Sequence, residues 1–80
     1  MAEETLERGS EGPEVADLQE KLIGLRFKPG EVDGKFGVIT ESALKMFQVS
    51  VKIEADGMVG ERTRERLAEV LEQQNETAAG

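Results

Sequence analysis

Asp33-Gly34-Lys35-Phe36-Gly37-Val38-Ile39-Thr40 and Asp56-Gly57-Met58-Val59-Gly60-Glu61-Arg62-Thr63 are two copies of one pattern, offset by 23 residues. Each runs as an Asp-Gly turn, an apolar residue, a second glycine and a threonine three residues further on. Leu44 and Leu67 continue the register. The chemistry of the pattern is local. The Asp carboxylate bonds backbone N–H groups of its own turn, and the glycine after it takes φ > 0 without steric cost. Phe36 and Val59 then plug a core beside the start of a helix. Gly37 and Gly60 serve as N-caps that let the chain turn into it. A period of this size can signal a solenoid, but two copies are too few for one. The repeat is a duplicated turn–helix unit inside a single domain.

The residues around the repeat supply three helices. Pro13 suits the first turn, where its missing N–H would go unpaired anyway. Glu14 and Asp17 favour that positive end. Val15, Leu18, Leu22 and Leu25 follow at spacings of 3, 4 and 3, which predicts a helix over about 13–25. Ile39, Ala43, Leu44, Phe47 and Val51 mark the inner face of a second helix beginning after Gly37. Thr63, Leu67, Val70 and Leu71 mark that of a third, beginning after Gly60. Glu41 and Lys45 have the spacing of a surface ion pair. Residues 1–12 read as an extended or irregular lead-in. Pro29-Gly30 reads as a turn, and short extended pieces around Phe27 and Phe36 as a small hairpin. The expected class is all-α, a compact three-helix bundle with short turn and loop segments. Residues 1–5 are expected to be a flexible N-terminus, 6–72 the domain and 73–80 a flexible tail without apolar periodicity.

Composition narrows what such a domain does. The chain has 80 residues, 10 Lys+Arg, 17 Asp+Glu and a net charge of -7. It has no Cys, His, Trp or Tyr. The usual zinc sites and nucleophile–base pairs therefore have no residues to build them, and no metal or other cofactor is expected. Net acidity disfavours nucleic acid as a partner. Residues 1–20 carry seven acids and one base, whereas residues 21–80 carry ten acids and nine bases, so the acidity is mainly N-terminal. The start has no basic segment followed by an apolar run, and no apolar stretch is long enough to span a membrane. The expectation is a cytoplasmic chain as written, unless it is a module of a larger secreted protein or assembly.

In order, Leu6, Gly9-Ser10-Glu11-Gly12, Val15, Leu18-Gln19 and Leu22, then Asp33 through Phe47-Gln48, then Asp56 through Leu67, resemble the bacterial peptidoglycan-binding-like domain. The resemblance covers about residues 6–71, nearly the whole chain. It implies a three-helix module that binds cell-wall peptidoglycan without catalysis, accompanies a wall hydrolase or an assembly protein, and acts at the cell envelope. Two positions depart from the family pattern. Arg26 and Lys52 stand where the family often has the glycine that terminates a helix in the left-handed conformation. Keeping that geometry would cost roughly 1 kcal/mol at each.

The candidate ligand contacts are Lys35, Gly37, Lys45, Gly60 and Arg62. Backbone N–H groups where the second and third helices begin attract anions, and the peptidoglycan stem peptide is rich in carboxylates. Sugar stacking has less support, because Phe27, Phe36 and Phe47 all occupy core positions. Asp33, Gly34, Thr40, Asp56, Gly57 and Thr63 read as structural turn residues. The two threonines lie on inner faces, where a backbone hydrogen bond is expected. Arg62, Arg64 and Arg66 alternate with Glu61, Glu65 and Glu69 as a solvated helix face. Gln19 and Gln48 each follow a core position and read as structural hydrogen-bonding groups. A protein-interaction or assembly module on the same scaffold, in a phage-tail-like or injection device or as a cytoplasmic adaptor, is the alternative. The acidic N-terminal segment favours it.

Overall fold

The computed structural model describes residues 5–28 and 30–79, with side chains described through residue 73. Its helices are α1 (Pro13–Gly24), α2 (Val38–Ser50) and α3 (Glu61–Ala79). Each begins where the sequence places a start signal. Pro13 opens α1, and Gly37 is the N-cap of α2 with extended backbone geometry. Glu41 N–H donates to the Gly37 carbonyl at 3.0 Å, and Arg64 N–H to that of Gly60 at 3.0 Å, closing the first turns of α2 and α3. The expected flexible N-terminus falls mostly on residues 1–4, outside the described residues, as does Pro29 of the expected Pro-Gly turn. The α3 backbone stays helical to Ala79, beyond the last apolar repeat at Leu71.

The core is formed by Leu6, Val15, Leu18, Leu22, Phe36, Ala43, Leu44, Phe47, Val59 and Leu67. Leu25, Phe27, Val51 and Val70 pack against it half-buried. Phe27 meets Phe47 edge to face, with ring centroids 5.9 Å apart at 86°, a favoured arrangement for aromatic pairs. Phe47 is 1% exposed, so truncation to Ala removes a fully buried ring and should cost about 3–5 kcal/mol.

Both expected exceptions at the helix ends keep the family geometry. Arg26 has φ 72° and Lys52 has φ 63°. Around Arg26, Phe27 N–H donates to the Leu22 carbonyl at 2.8 Å and Arg26 N–H to that of Ile23 at 2.9 Å. Around Lys52, Ile53 N–H donates to the Gln48 carbonyl at 3.1 Å and Lys52 N–H to that of Val49 at 3.1 Å. This paired pattern is the Schellman motif, with a cation in the left-handed position. The positive charge offsets part of the strain by facing the negative helix end.

Three expectations are corrected. Ile39 is not on the inner face of α2; it is 63% exposed, while the neighbouring Thr40 points inward as expected. The reason is that a buried glutamine claims the Thr40 hydroxyl, as described below. Phe27 and Phe36 do not form a hairpin with each other. Phe27 N–H is consumed in closing α1, and Phe36 pairs with the lead-in: Phe36 N–H donates to the Ser10 carbonyl and Gly9 N–H to that of Phe36, both at 2.9 Å. The lead-in is also not merely irregular. It laces both turns. Gly12 N–H donates to the Gly34 carbonyl at 2.9 Å, and further upstream Leu6 and Val59 exchange bonds of 3.2 and 2.8 Å. Buried Leu6 anchors that second stitch.

Candidate functional site

The two Asp-Gly turns are each held from inside by one buried glutamine. Gln19 of α1 is 1% exposed and Gln48 of α2 is fully buried. The Gln19 amide nitrogen donates to Asp33 Oδ1 at 3.1 Å, to the Lys35 carbonyl at 3.0 Å and to Thr40 Oγ1 at 3.1 Å. Its two hydrogens are shared among three acceptors. The amide oxygen accepts from the N–H groups of Asp33 at 3.1 Å and Gly34 at 3.0 Å. Gln48 repeats the arrangement. Its nitrogen donates to Asp56 Oδ1 at 3.0 Å, the Met58 carbonyl at 2.9 Å and Thr63 Oγ1 at 3.1 Å, and its oxygen accepts from Gly57 N–H at 3.0 Å. No buried side-chain polar atom among the described residues lacks a partner, as a buried polar network requires.

Each aspartate carboxylate is engaged within its own turn. Asp33 Oδ1 also accepts from Lys35 N–H at 2.9 Å, and Asp56 Oδ1 from Met58 N–H at 2.9 Å. The Lys35 backbone bond, helped by the Gln19 amide, holds the Asp33 carboxyl below its ordinary value. Gly34 and Gly57 have φ of 75° and 74°, the left-handed geometry the turns need. Gly57 has a second constraint: a Cβ there would lie 2.9 Å from Lys45 Cε. Thr63 Oγ1 donates to the Met58 carbonyl at 3.4 Å, the expected backbone bond. The sequence marked Gln19 and Gln48 only as structural hydrogen-bonding groups. Their shared position after a core residue was the available signal, while their targets lie 14 and 8 residues away at the aspartates.

The five candidate contact residues are not brought to one place. Lys35 and Gly37 line an open cleft of about 490 Å³ where α2 begins, together with Gly30, Glu31, Val38 and Ile39. Gly60 and Arg62 line the equivalent cleft of about 360 Å³ where α3 begins, with Glu54, Met58 and Glu61. Lys45 lies apart from both, over Gly57 beside Glu41, whose carboxylate stands 3.9 Å from Arg8 Nη1. The arginines of α3 do not form a uniformly solvated face. Arg66 donates to the Val51 carbonyl at 3.1 Å, tying α3 to the end of α2, and to Glu69 at 2.9 Å. Arg64 stands 3.9 Å from Glu14 of α1. Arg62 is exposed. Among the described residues, no group of three or more Asp or Glu side chains could hold a metal ion. No helix among them is long and apolar enough to cross a membrane.

This duplicated turn–helix architecture defines a peptidoglycan-binding module. Residues 11–67 match the peptidoglycan binding domain family, and the chain belongs to it. It is 35% identical over 69 residues to the spore cortex-lytic enzyme of Oceanobacillus iheyensis, across 86% of this chain and 25% of that protein. It is 44% identical over 52 residues to the N-acetylmuramoyl-L-alanine amidase CwlM of Mycobacterium tuberculosis, across 65% of this chain and 13% of that protein. The crystal structure of the SleB N-terminal domain superposes with a TM-score of 0.81 at 36% identity, covering 84% of this chain and 92% of that one. The chain spans between a quarter and a third of the length of the spore cortex-lytic enzymes it matches first, 25% and 30%. Most of each enzyme lies outside the match.

Proposed function

We propose that this peptidoglycan-binding module acts as a non-catalytic anchor on the bacterial cell wall and contacts the stem peptide. The family match over residues 11–67 carries this reading. The stem-peptide contact is supported by what the surface offers. Phe36 and Phe47 are 2% and 1% exposed, and half-buried Phe27 is engaged with Phe47, so their rings make poor sugar platforms. Where α2 begins, Gly37 supplies no side-chain cap, which leaves first-turn N–H groups beside Lys35 for a stem carboxylate. Gly60 and Arg62 offer a second such place at α3, and Lys45 a third cation at the side of α2. Catalysis belongs to whatever wall hydrolase or assembly protein the module accompanies.

Sedimentation with purified insoluble sacculi tests the proposal. The wild-type protein should co-sediment at low salt, and Lys35→Ala and Arg62→Ala should each lower the affinity about two- to fivefold, the scale of one exposed charge contact. Failure of the wild-type protein to sediment at low salt would overturn wall binding. It would leave the interaction-module reading that the acidic N-terminal segment favours.

A further inference from the structure

The solvent face of α2 differs from the rest of the surface in charge. α1 carries three acids and one base and α3 five acids and three bases, whereas α2 carries one of each. The α2 acid, Glu41, is turned toward Arg8. Apart from Lys45, what remains outward on α2 is uncharged. Val38, Ile39, Met46 and Val49 are 58%, 63%, 63% and 65% exposed, and Ser42 and Ser50 between them are exposed as well. Spacings of seven and three from Ile39 through Met46 to Val49 put these three on one stripe. Its N-terminal end opens into the cleft that holds Val38, Ile39 and Lys35. Exposed lysines border it: Lys35 before the helix, Lys45 along its side and Lys52 just past its end.

We infer that this lysine-bordered apolar face of α2 is the surface that lies against peptidoglycan, and that the α1 face points away from it. The inference rests on the wall-binding reading and adds where the polymer docks. Charge decides the orientation. A chain at -7 is repelled by a polymer bearing stem carboxylates, and α2 carries the fewest acids of the three helices, its own Glu41 being half-buried toward Arg8 and exposed Glu31 lying in the cleft at its N-terminal end. Isolated exposed apolar residues need no explanation, but a continuous stripe of them with lysines along its border marks an interaction site. The apolar side chains suit the alanine methyls and the aliphatic stem of the diamino acid in the peptide, and the lysines suit its carboxylates.

The test places a repelling charge on the face and the same charge elsewhere. Met46→Glu/Val49→Glu alters two residues that are mostly exposed, so the fold should survive, as an unchanged melting temperature would verify. Ile23→Glu puts a carboxylate on α1, at a residue 49% exposed. Sacculus affinity of the α2 double variant should fall at least about tenfold, since like charges facing each other across an interface cost more than rim contacts, while Ile23→Glu binds within twofold of wild type. Equal sacculus binding by the α2 variant and wild type would overturn the inference and leave wall binding intact. So would sedimentation equilibrium showing a wild-type dimer that the double variant abolishes without loss of sacculus binding, because the face would then belong to a second copy. Absence of wild-type binding would instead remove the wall-binding reading and this inference with it.

Discussion

The turn before α2 and the turn before α3 use the same lock at the end of connections of different length. In the first, Gln19 reaches Asp33 across 14 residues; in the second, Gln48 reaches Asp56 across 8. The donor and acceptor sets are nonetheless the same in kind, and the distances agree within a few tenths of an ångström. Six extra residues cost little, because loop-closure entropy grows only slowly with length. Half of them lie within α1, because Gln19 sits farther from its helix end than Gln48 does, and half lie between the end of α1 and Asp33. The duplicated object is thus larger than the visible repeat: a glutamine on one helix, an Asp-Gly turn and a threonine on the next helix. The copies diverge outside the lock. Exposed Val38 and Ile39 follow Gly37, whereas Glu61 and Arg62 follow Gly60. The inside is held constant by hydrogen-bond geometry, and the outside is free to specialise.

The strongest way to break the comparison is to remove each lock. Gln19→Leu strands the Asp33 and Gly34 N–H groups and removes the amide donor from the Lys35 carbonyl and the Asp33 carboxylate, and should cost about 3 kcal/mol. Gln48→Leu strands fewer groups and should cost about 2 kcal/mol. Urea denaturation measures both, and a larger loss for Gln48→Leu would show that the shorter connection is the more dependent copy. The next effect is specific to the first turn. Because the folded Asp33 carboxyl titrates below its unfolded value, its contribution is complete above the ordinary carboxylate range and fades as pH falls through the lower folded value. Asp33→Asn should therefore flatten the loss of stability as pH falls below the ordinary carboxylate range, read from urea midpoints down that range.

A smaller effect of opposite sign is expected at the two helix ends. Arg26→Gly and Lys52→Gly relieve left-handed strain at a cost in unfolded-chain entropy, for a net gain of about 0.5–1 kcal/mol each. Thermal melts of the single variants measure it, and a loss at either position would mean that the cation's attraction for the helix end outweighs the strain. The least effect is expected from deleting residues 73–80, the segment proposed to lie outside the domain. Its removal should move the melting temperature by no more than about 2 °C, since the segment has no apolar periodicity with which to pack on the core. A larger drop would extend the domain to the end of α3.

What could be read directly was whatever depends on neighbours in sequence. The three helices, their starts at Pro13, Gly37 and Gly60, the positive φ at Gly34 and Gly57, and the bonds from the Lys35 and Met58 N–H groups to the two aspartates all follow from residue type and short-range spacing. The two departures at Arg26 and Lys52 were also legible, because the backbone geometry there is part of the helix ending itself. The candidate contacts were less so. Pattern alone placed Lys35, Lys45 and Arg62 near helix starts or on a helix side, and the structure separates them into two clefts and a flank.

The sequence by itself determined the local conformations of this protein, since apolar periodicity, proline and glycine act through φ, ψ and the nearest turn. The tertiary structure decided what crosses between elements. It turned Ile39 outward on α2, spent Phe27 on closing α1, and stitched the lead-in to both turns through Leu6, Gly9, Ser10 and Gly12. The reason is one of partners. A buried amide must find donors and acceptors far along the chain, and nothing in the local spacing around Gln19 or Gln48 says which ones the folded chain will bring within reach.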